Sequence, residues 1–261
     1  VTSAVEHSSI LACVDRACCT GRVVSLVGVN GDGLIRSESL AAMLRPDTAL
    51  VSLQLANNET GFIQPLAALA RIVREVAPTA LIHTDATQAV GRVPIDLTED
   101  LVEIDLLSFS GHKFHGPRGI GGLFLRSGVE LDPLIPGEQE AGKRGGTSNV
   151  PAAAGLAEAA RAALSNLNQM HKVSALRDRL ELAISDVVAD ALINAARGPR
   201  LPNTSSVTIP EIDAEDIVEQ LASQGICVAT GSACTAGGAF IRGRIARQMR
   251  PKPASIMSVV G

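Results

Sequence analysis

The sequence predicts an α/β protein, with a mostly parallel sheet and crossover helices followed by a small α+β unit. Through the first half of the 261 residues, apolar runs of strand length alternate with stretches of helical period. After Thr147 the chain turns to long Ala-rich helical stretches and only then returns to strand-like runs. At 46% hydrophobic and 19% charged residues the composition is that of a packed domain, not a disordered chain.

Val1 to Val5 is strand-like, and the chain starts in it so abruptly that it reads as lacking a natural N-terminus. Val23 to Val29 is a β-branched strand turned by Asn30-Gly31-Asp32-Gly33. Ser37 can cap a helix carrying Leu40, Met43 and Leu44 that ends before Pro46. Thr48 to Leu55 reads as a buried strand running into Ala56-Asn57-Asn58-Glu59-Thr60-Gly61, a polar cluster and candidate ligand loop. A helix from Pro65 places Leu66, Leu69, Ile72, Val73 and Val76 on one face and breaks at Pro78. The short strand from Ala80 to His83 delivers Asp85-Ala86-Thr87-Gln88, and that at Leu106-Leu107 delivers Ser108-Phe109-Ser110-Gly111-His112-Lys113. Ends of neighbouring parallel strands lie side by side, so Asn58, Asp85 and Lys113 can share one site.

Pro151 to Leu167 is helical, and a second helix carries Val173, Leu176, Leu180, Ile184 and Val187 at spacings of three and four. Gly198-Pro199 and Pro202 precede a strand from Thr204 to Ile209, a helix from Ala214 to Gln224 and a strand through Cys227-Val228-Ala229. The expected division is a large domain over residues 1–167 and a small domain over 168–261. No internal repeat is visible.

The formal net charge of -4 and pI near 5.8 supply no electrostatic attraction for nucleic acid or an anionic membrane. Tyrosine and tryptophan are absent, so no stacking platform for single strands exists and the core must be Ala, Val, Leu and Ile. The five cysteines, Cys13, Cys18, Cys19, Cys227 and Cys234, form no CxxC pair and no Cys/His zinc spacing, which argues for a reducing, cytoplasmic setting and no metal. Cys227 reads as inert core, and Cys13, Cys18 and Cys19 as packing residues of the first helix. No charged and apolar leader pattern and no apolar run of bilayer length is present.

A lysine at a strand end, where burial can strip its proton, is a candidate carbonyl-binding nucleophile; a surface lysine in a Gly-rich loop is the alternative for Lys113. A carboxylate one strand away suits a protonated pyridine nitrogen, although Asp85 taken alone also reads as a turn or helix-cap aspartate. Ser110, His112 and the glycines between Gly116 and Gly122 could hold a phosphate, and their spacing does not match the dinucleotide GxGxxG pattern. Together these groups suit pyridoxal 5'-phosphate.

Six blocks carry a closer resemblance: Glu6-His7, Ala56 to Gly61, His83 to Gln88, Ser108 to Lys113, Arg144-Gly145-Gly146-Thr147 and Gly231-Ser232-Ala233-Cys234. In this order they resemble the cysteine desulfurase family (NifS/IscS-like), class V aminotransferases of the fold-type I pyridoxal phosphate architecture. The resemblance implies that Lys113 carries the cofactor as a Schiff base and that Asp85 pairs with the ring nitrogen. His7 would stack on the ring and move protons, while Asn58 and Gln88 would contact the phenolic oxygen side. Ser110 and His112 would hold the phosphate, joined by Thr147 from the other subunit of a homodimer. Cys234, in a Gly-rich loop, would attack the sulfur of substrate L-cysteine, giving alanine and a persulfide for a sulfur-acceptor protein, as in iron–sulfur cluster assembly.

Two departures qualify it. The family has a further strand, helix and phosphate-gripping Gly-Ala-Thr-type loop before the position of Val1, so an isolated chain would expose edges and apolar faces. After Phe240 the basic stretch with Arg242, Arg244, Arg247 and Arg250 departs from the family pattern, and Met257 falls near the expected carboxylate-binding arginine. The arginines are stand-ins for that cation or a solvated basic tail. Two alternatives to a desulfurase follow: another class V enzyme such as a selenocysteine lyase or an aminotransferase, or an inactive homologue serving as a partner subunit.

Overall fold

The computed structural model of the chain describes residues 1–231 and the backbone of residues 255–260. Its first sheet contains β1 (Thr2–Ser3), β2 (Leu26–Val27), β3 (Leu50–Ser52), β4 (Leu81–Asp85), β5 (Leu106–Ser110) and β6 (Gly121–Leu125). They lie in the order β2-β1-β3-β4-β5-β6, the first five parallel and β6 antiparallel to β5. The α/β architecture is therefore the one the alternating pattern predicts. β1, β2 and β3 run shorter than their strand-like stretches, but pairing continues past β3, where Leu53 N–H donates to His83 O and Leu55 N–H to Asp85 O.

Crossover helices α1 (Ser8–Cys19), α2 (Ser37–Met43) and α3 (Leu66–Val76) cover the sheet. The stripe of α3 buries Leu66, Leu69, Ala70 and Val73 against Val51, Leu53, Ile82 and Ile104, an aliphatic core as the composition requires. Fully burying one such side chain stabilises by roughly 1.5–3 kcal/mol. Only Leu11 of α1 is buried, and Cys13, Cys18 and Cys19 are exposed on its outer face, so they are not the packing residues expected.

The second half begins with α4 (Val150–Asn166), capped by Asn149, whose side chain accepts from Ala152 N–H, with Pro151 in the first turn. After α5 (Met170–Val187), a second sheet holds β7 (Leu192–Ile193), β8 (Thr204–Ile209) and β9 (Ser255–Val260), all antiparallel, with Met257 opposite Val207. Helix α6 (Ala214–Ser223) starts on an Asp213 cap. Of the expected strand at 227–229, only Ala229 makes a bridge; Ile226 to Val228 lie in no strand and Cys227 is exposed, not core.

The predicted apolar stripe of α5 is also corrected. Leu176, Leu180 and Val187 face solvent, while the helix turns Glu181 inward to Arg200 and lets Arg177 donate to Leu201 O. Charged groups, not the stripe, dock α5. The segment it holds adds backbone bonds to the candidate ligand loop, from Ile63 N–H to Pro199 O and from Leu201 N–H to Gly61 O. Gly61 sits at φ +73° with its missing side chain facing Thr204, so this contact requires glycine. No helix among the described residues is long and apolar enough to cross a membrane.

Candidate active site

The carboxyl ends of β1, β3, β4 and β5 lie next to one another, and each carries polar side chains. On β4, residues two apart share a face, so His83 and Asp85 point the same way while Ile82 and Thr84 are buried on the other. His83 bridges three strands, its Nδ1 2.8 Å from Ser52 Oγ and its Nε2 3.0 Å from Ser108 Oγ. Burial pushes the imidazole pKa down, against the pull of Asp85, and favours the neutral ring.

Asp85 lies opposite Ser108 in register, and its Oδ1 accepts Thr87 N–H at 2.9 Å, closing the turn that carries Gln88. Its other oxygen has no hydrogen bond among the described residues. The half-buried Arg92 joins this turn to the next strand end, donating to Gln88 O at 3.0 Å and to Lys113 O at 2.7 Å. No carboxylate pairs with it among the described residues, and burial lowers its pKa. The guanidinium therefore serves as a bracket between two loops.

Lys113 is half-buried in a 3-10 turn, Gly111–Phe114, directly after β5, and its Nζ makes no ion pair or hydrogen bond among the described residues. Packing fixes the turn from behind, where a side chain on Gly111 would strike Leu156 and one on Gly155 would strike Pro117, so α4 sits close against it. Ser110 Oγ lies 2.8 Å from His112 Nδ1 at the mouth of the turn.

His7 caps α1, with Nδ1 accepting from Ser9 N–H at 3.3 Å. Asn58 sits in a turn built by Asn57, whose Oδ1 accepts Glu59 and Thr60 N–H and whose Nδ2 donates to Val5 O at 3.1 Å. Gln54 Nε2 also donates to Val5 O, at 2.7 Å, lacing the His7 turn to the Asn58 turn.

The structure thus brings His7, Asn58, Asp85, Gln88, Ser110, His112 and Lys113 to one sheet edge. Thr147 stands on an exposed segment before α4 and makes no hydrogen bond to them among the described residues. Three of the four glycines between Gly116 and Gly122 are engaged elsewhere. Gly116 N–H is spent on Gly111 O, and Gly121 and Gly122 pair with β5 as the start of β6. Cys234, with Arg242, Arg244, Arg247 and Arg250, lies outside the described residues. Two cavities, of about 390 and 360 Å³, lie off this edge, one against α3 and Val93 to Leu101 and one between the Lys113 turn and α4. Neither is lined by Asp85 or Asn58.

Sequence reasoning assigned no role to Arg92, Asn57 or His83. For His83 a signal existed, since a strand's period of two puts it on the face of Asp85. Chemically, the edge offers an amine for a carbonyl, a carboxylate with a free oxygen for a protonated ring nitrogen, and a hydroxyl–imidazole pair for a phosphate. That donor set fits pyridoxal phosphate.

The family model described as aminotransferase class-V matches residues 1–250. A cysteine desulfurase of Cereibacter sphaeroides is 46% identical over 252 residues, which are 96% of this chain and 63% of its own length. One from Gluconacetobacter diazotrophicus is 44% identical over 240 residues, 91% of this chain and 59% of its own length. The solved structure of a NifS-like protein matches with a TM-score of 0.85 and 35% identity, covering 100% of this chain and 68% of its own. The chain spans about three-fifths of the length of the curated relatives it matches.

Proposed function

The chain belongs to the aminotransferase class-V family, and from that premise we propose that it is the core of a pyridoxal-phosphate-dependent cysteine desulfurase. The supporting observation is that Asp85 and Lys113 end neighbouring parallel strands and that Arg92 brackets their loops. Bound at this edge, the cofactor supplies an electron sink that makes the carbon skeleton of a bound amino acid acidic.

In this reading Lys113 would hold the cofactor through its carbonyl, and Asp85 would hold the ring nitrogen and keep it protonated. His7 would hold the ring and move protons, and Asn58 and Gln88 would hold the phenolic oxygen side. Ser110 and His112 grip the phosphate with Thr147 of a second copy, in a homodimer. Residues 1–167 form the cofactor domain, and residues 168–261 carry the Cys234 loop.

The Cys234 thiolate attacks the sulfur of bound L-cysteine, forming the S–S bond as the carbon–sulfur bond breaks. The electron pair returns to the carbon skeleton, which takes up a proton and leaves as alanine. Cysteine and one thiol thus give alanine and one persulfide, with no outside oxidant. A sulfur-acceptor protein, as in iron–sulfur cluster assembly, then takes the sulfur.

With pyridoxal phosphate and cysteine supplied, alanine and protein persulfide are expected in equal amounts in the first turnover. Cys234→Ala is expected to lower both by more than about 100-fold while leaving cofactor absorbance intact. A variant that still released sulfide at the full rate would point to another class V chemistry, and an unsubstituted chain that yields no alanine with cofactor and cysteine supplied would contradict the reading.

A further inference from the structure

Glu6 stands next to His7 in the sequence, and the proposed reaction gives it no role. Its side chain is 5% exposed at the end of β1. Oε1 accepts from Ser3 Oγ–H at 2.7 Å and from Gln54 N–H at 2.8 Å, while Oε2 is buried with no partner among the described residues. The next amide along, Leu55 N–H, donates to Asp85 O. The backbone of 54–55 therefore joins the Glu6 carboxyl on one side to the Asp85 strand end on the other.

We propose that Glu6 is a positioning residue for ring recognition, tying the His7 turn to the strand beside Asp85 so that ring binding at Asp85 depends on the Glu6 carboxyl. This rests on the reading of Asp85 as the partner of the ring nitrogen. A buried acceptor with one satisfied and one orphaned oxygen is costly to keep unless its placement is used.

The titratable group whose charge acts on it is Asp85 on β4; His7 beside it in sequence bonds Ser9, His83 bonds Ser52 and Ser108, β2 and β3 contribute none, and Asp15 and Arg16 of α1 are exposed. Burial pushes the Glu6 carboxyl up to about 7, and the charge of Asp85 adds to this, against the hydrogen bonds from Gln54 and Ser3. Below that pH the group is neutral, and Asp85 is the negative charge beside it. Because the folded pKa is raised above the ordinary 4.5, the stability linked to the neutral form is fully present below about pH 4.5 and is lost as pH rises through about 7. A cationic ring held at Asp85 offsets that loss, so ring binding and Glu6 ionisation favour each other.

The test is a pyridoxal phosphate titration of the chain from pH 6 to pH 8, followed by the visible absorbance of lysine-bound cofactor, with thermal melts of the cofactor-free protein. At pH 6, Glu6→Gln keeps the acceptor and is expected to bind within about threefold of wild type, while Glu6→Ala binds about tenfold more weakly. From pH 6 to pH 8 the ratio of wild-type to Glu6→Gln affinity should rise about three- to tenfold. The melting temperature of the cofactor-free wild type should fall relative to Glu6→Gln between pH 4.5 and 7. A ratio that is constant with pH, or a folded Glu6→Ala that binds like wild type, overturns the proposal. If Glu6→Ala does not fold, the Glu6→Gln profile decides alone. Wild-type absorbance that is absent, or that survives in Lys113→Ala, instead overturns the assignment of the site and the proposal with it.

Discussion

Lys113→Ala is expected to abolish both the visible absorbance of bound pyridoxal phosphate and turnover of cysteine, the latter by more than about 1,000-fold. The amine sits on a turn held at three points: Arg92 on Lys113 O, the Gly111 N–H bond to Ile120 O, and α4 packed against Gly111. Because its Nζ has no competing ion pair among the described residues, nothing must be broken before it meets a carbonyl. The backbone fixes the turn, so removing the amine should leave the fold unchanged, with a melting temperature near that of wild-type protein without cofactor. On the proposed reading, what is lost is the amine that would bind the cofactor's carbonyl. Absorbance spectra and alanine assays on the two proteins at equal concentration check this.

The largest effect on stability is expected from Glu181→Ala. Glu181 and Arg200 form a two-pronged pair, both bonds at 2.7 Å, with side chains 9% and 8% exposed. Removing Glu181 leaves the Arg200 charge buried with only the more distant Asp178 acting on it, a loss of about 3–5 kcal/mol. That is a large share of the 5–15 kcal/mol or so that holds a domain folded. The loss also reaches the candidate site, because the same segment donates Leu201 N–H to Gly61 O and so braces the Asn58 loop. A Glu181→Leu and Arg200→Met double variant removes both charges together and should recover at least half of the stability. Urea unfolding curves of the single and double variants give the comparison; equal midpoints for Glu181→Ala and wild type would show that the pair is not holding α5 in place.

The strand ends were legible because the signals for them are local. The short strand-like runs at Ala80 to His83 and at Leu106-Leu107 show which polar residues follow each strand, and in a parallel sheet strand ends become neighbours. The α3 stripe was legible for the same reason, its period being written in eleven consecutive residues.

Groups whose environment comes from distant residues were not. Glu181 looks like a solvated helix position until Arg200, nineteen residues on, folds against it. The role of Arg92 depends on one carbonyl four residues away and another twenty-one away. Cys227 carries the apolar neighbours of a strand, yet it is exposed and lies in no strand, because burial depends on what distant chain packs over it and not on its own neighbours. The resemblance to the desulfurases named the Glu6-His7 pair, but only the fold shows that the glutamate is buried and tied to Gln54.

The central claim is that Lys113 and Asp85 address one small molecule, and the most direct measurement is borohydride reduction of the pyridoxal-phosphate-treated chain followed by peptide mass mapping. The sequence has four lysines, Lys113, Lys143, Lys172 and Lys252, so the site of the reduced label is unambiguous. One label per chain is expected, on Lys113, with a several-fold weaker yield in Asp85→Asn. A label spread over Lys143, Lys172 and Lys252, or a Lys113 label indifferent to the loss of the Asp85 charge, would contradict it.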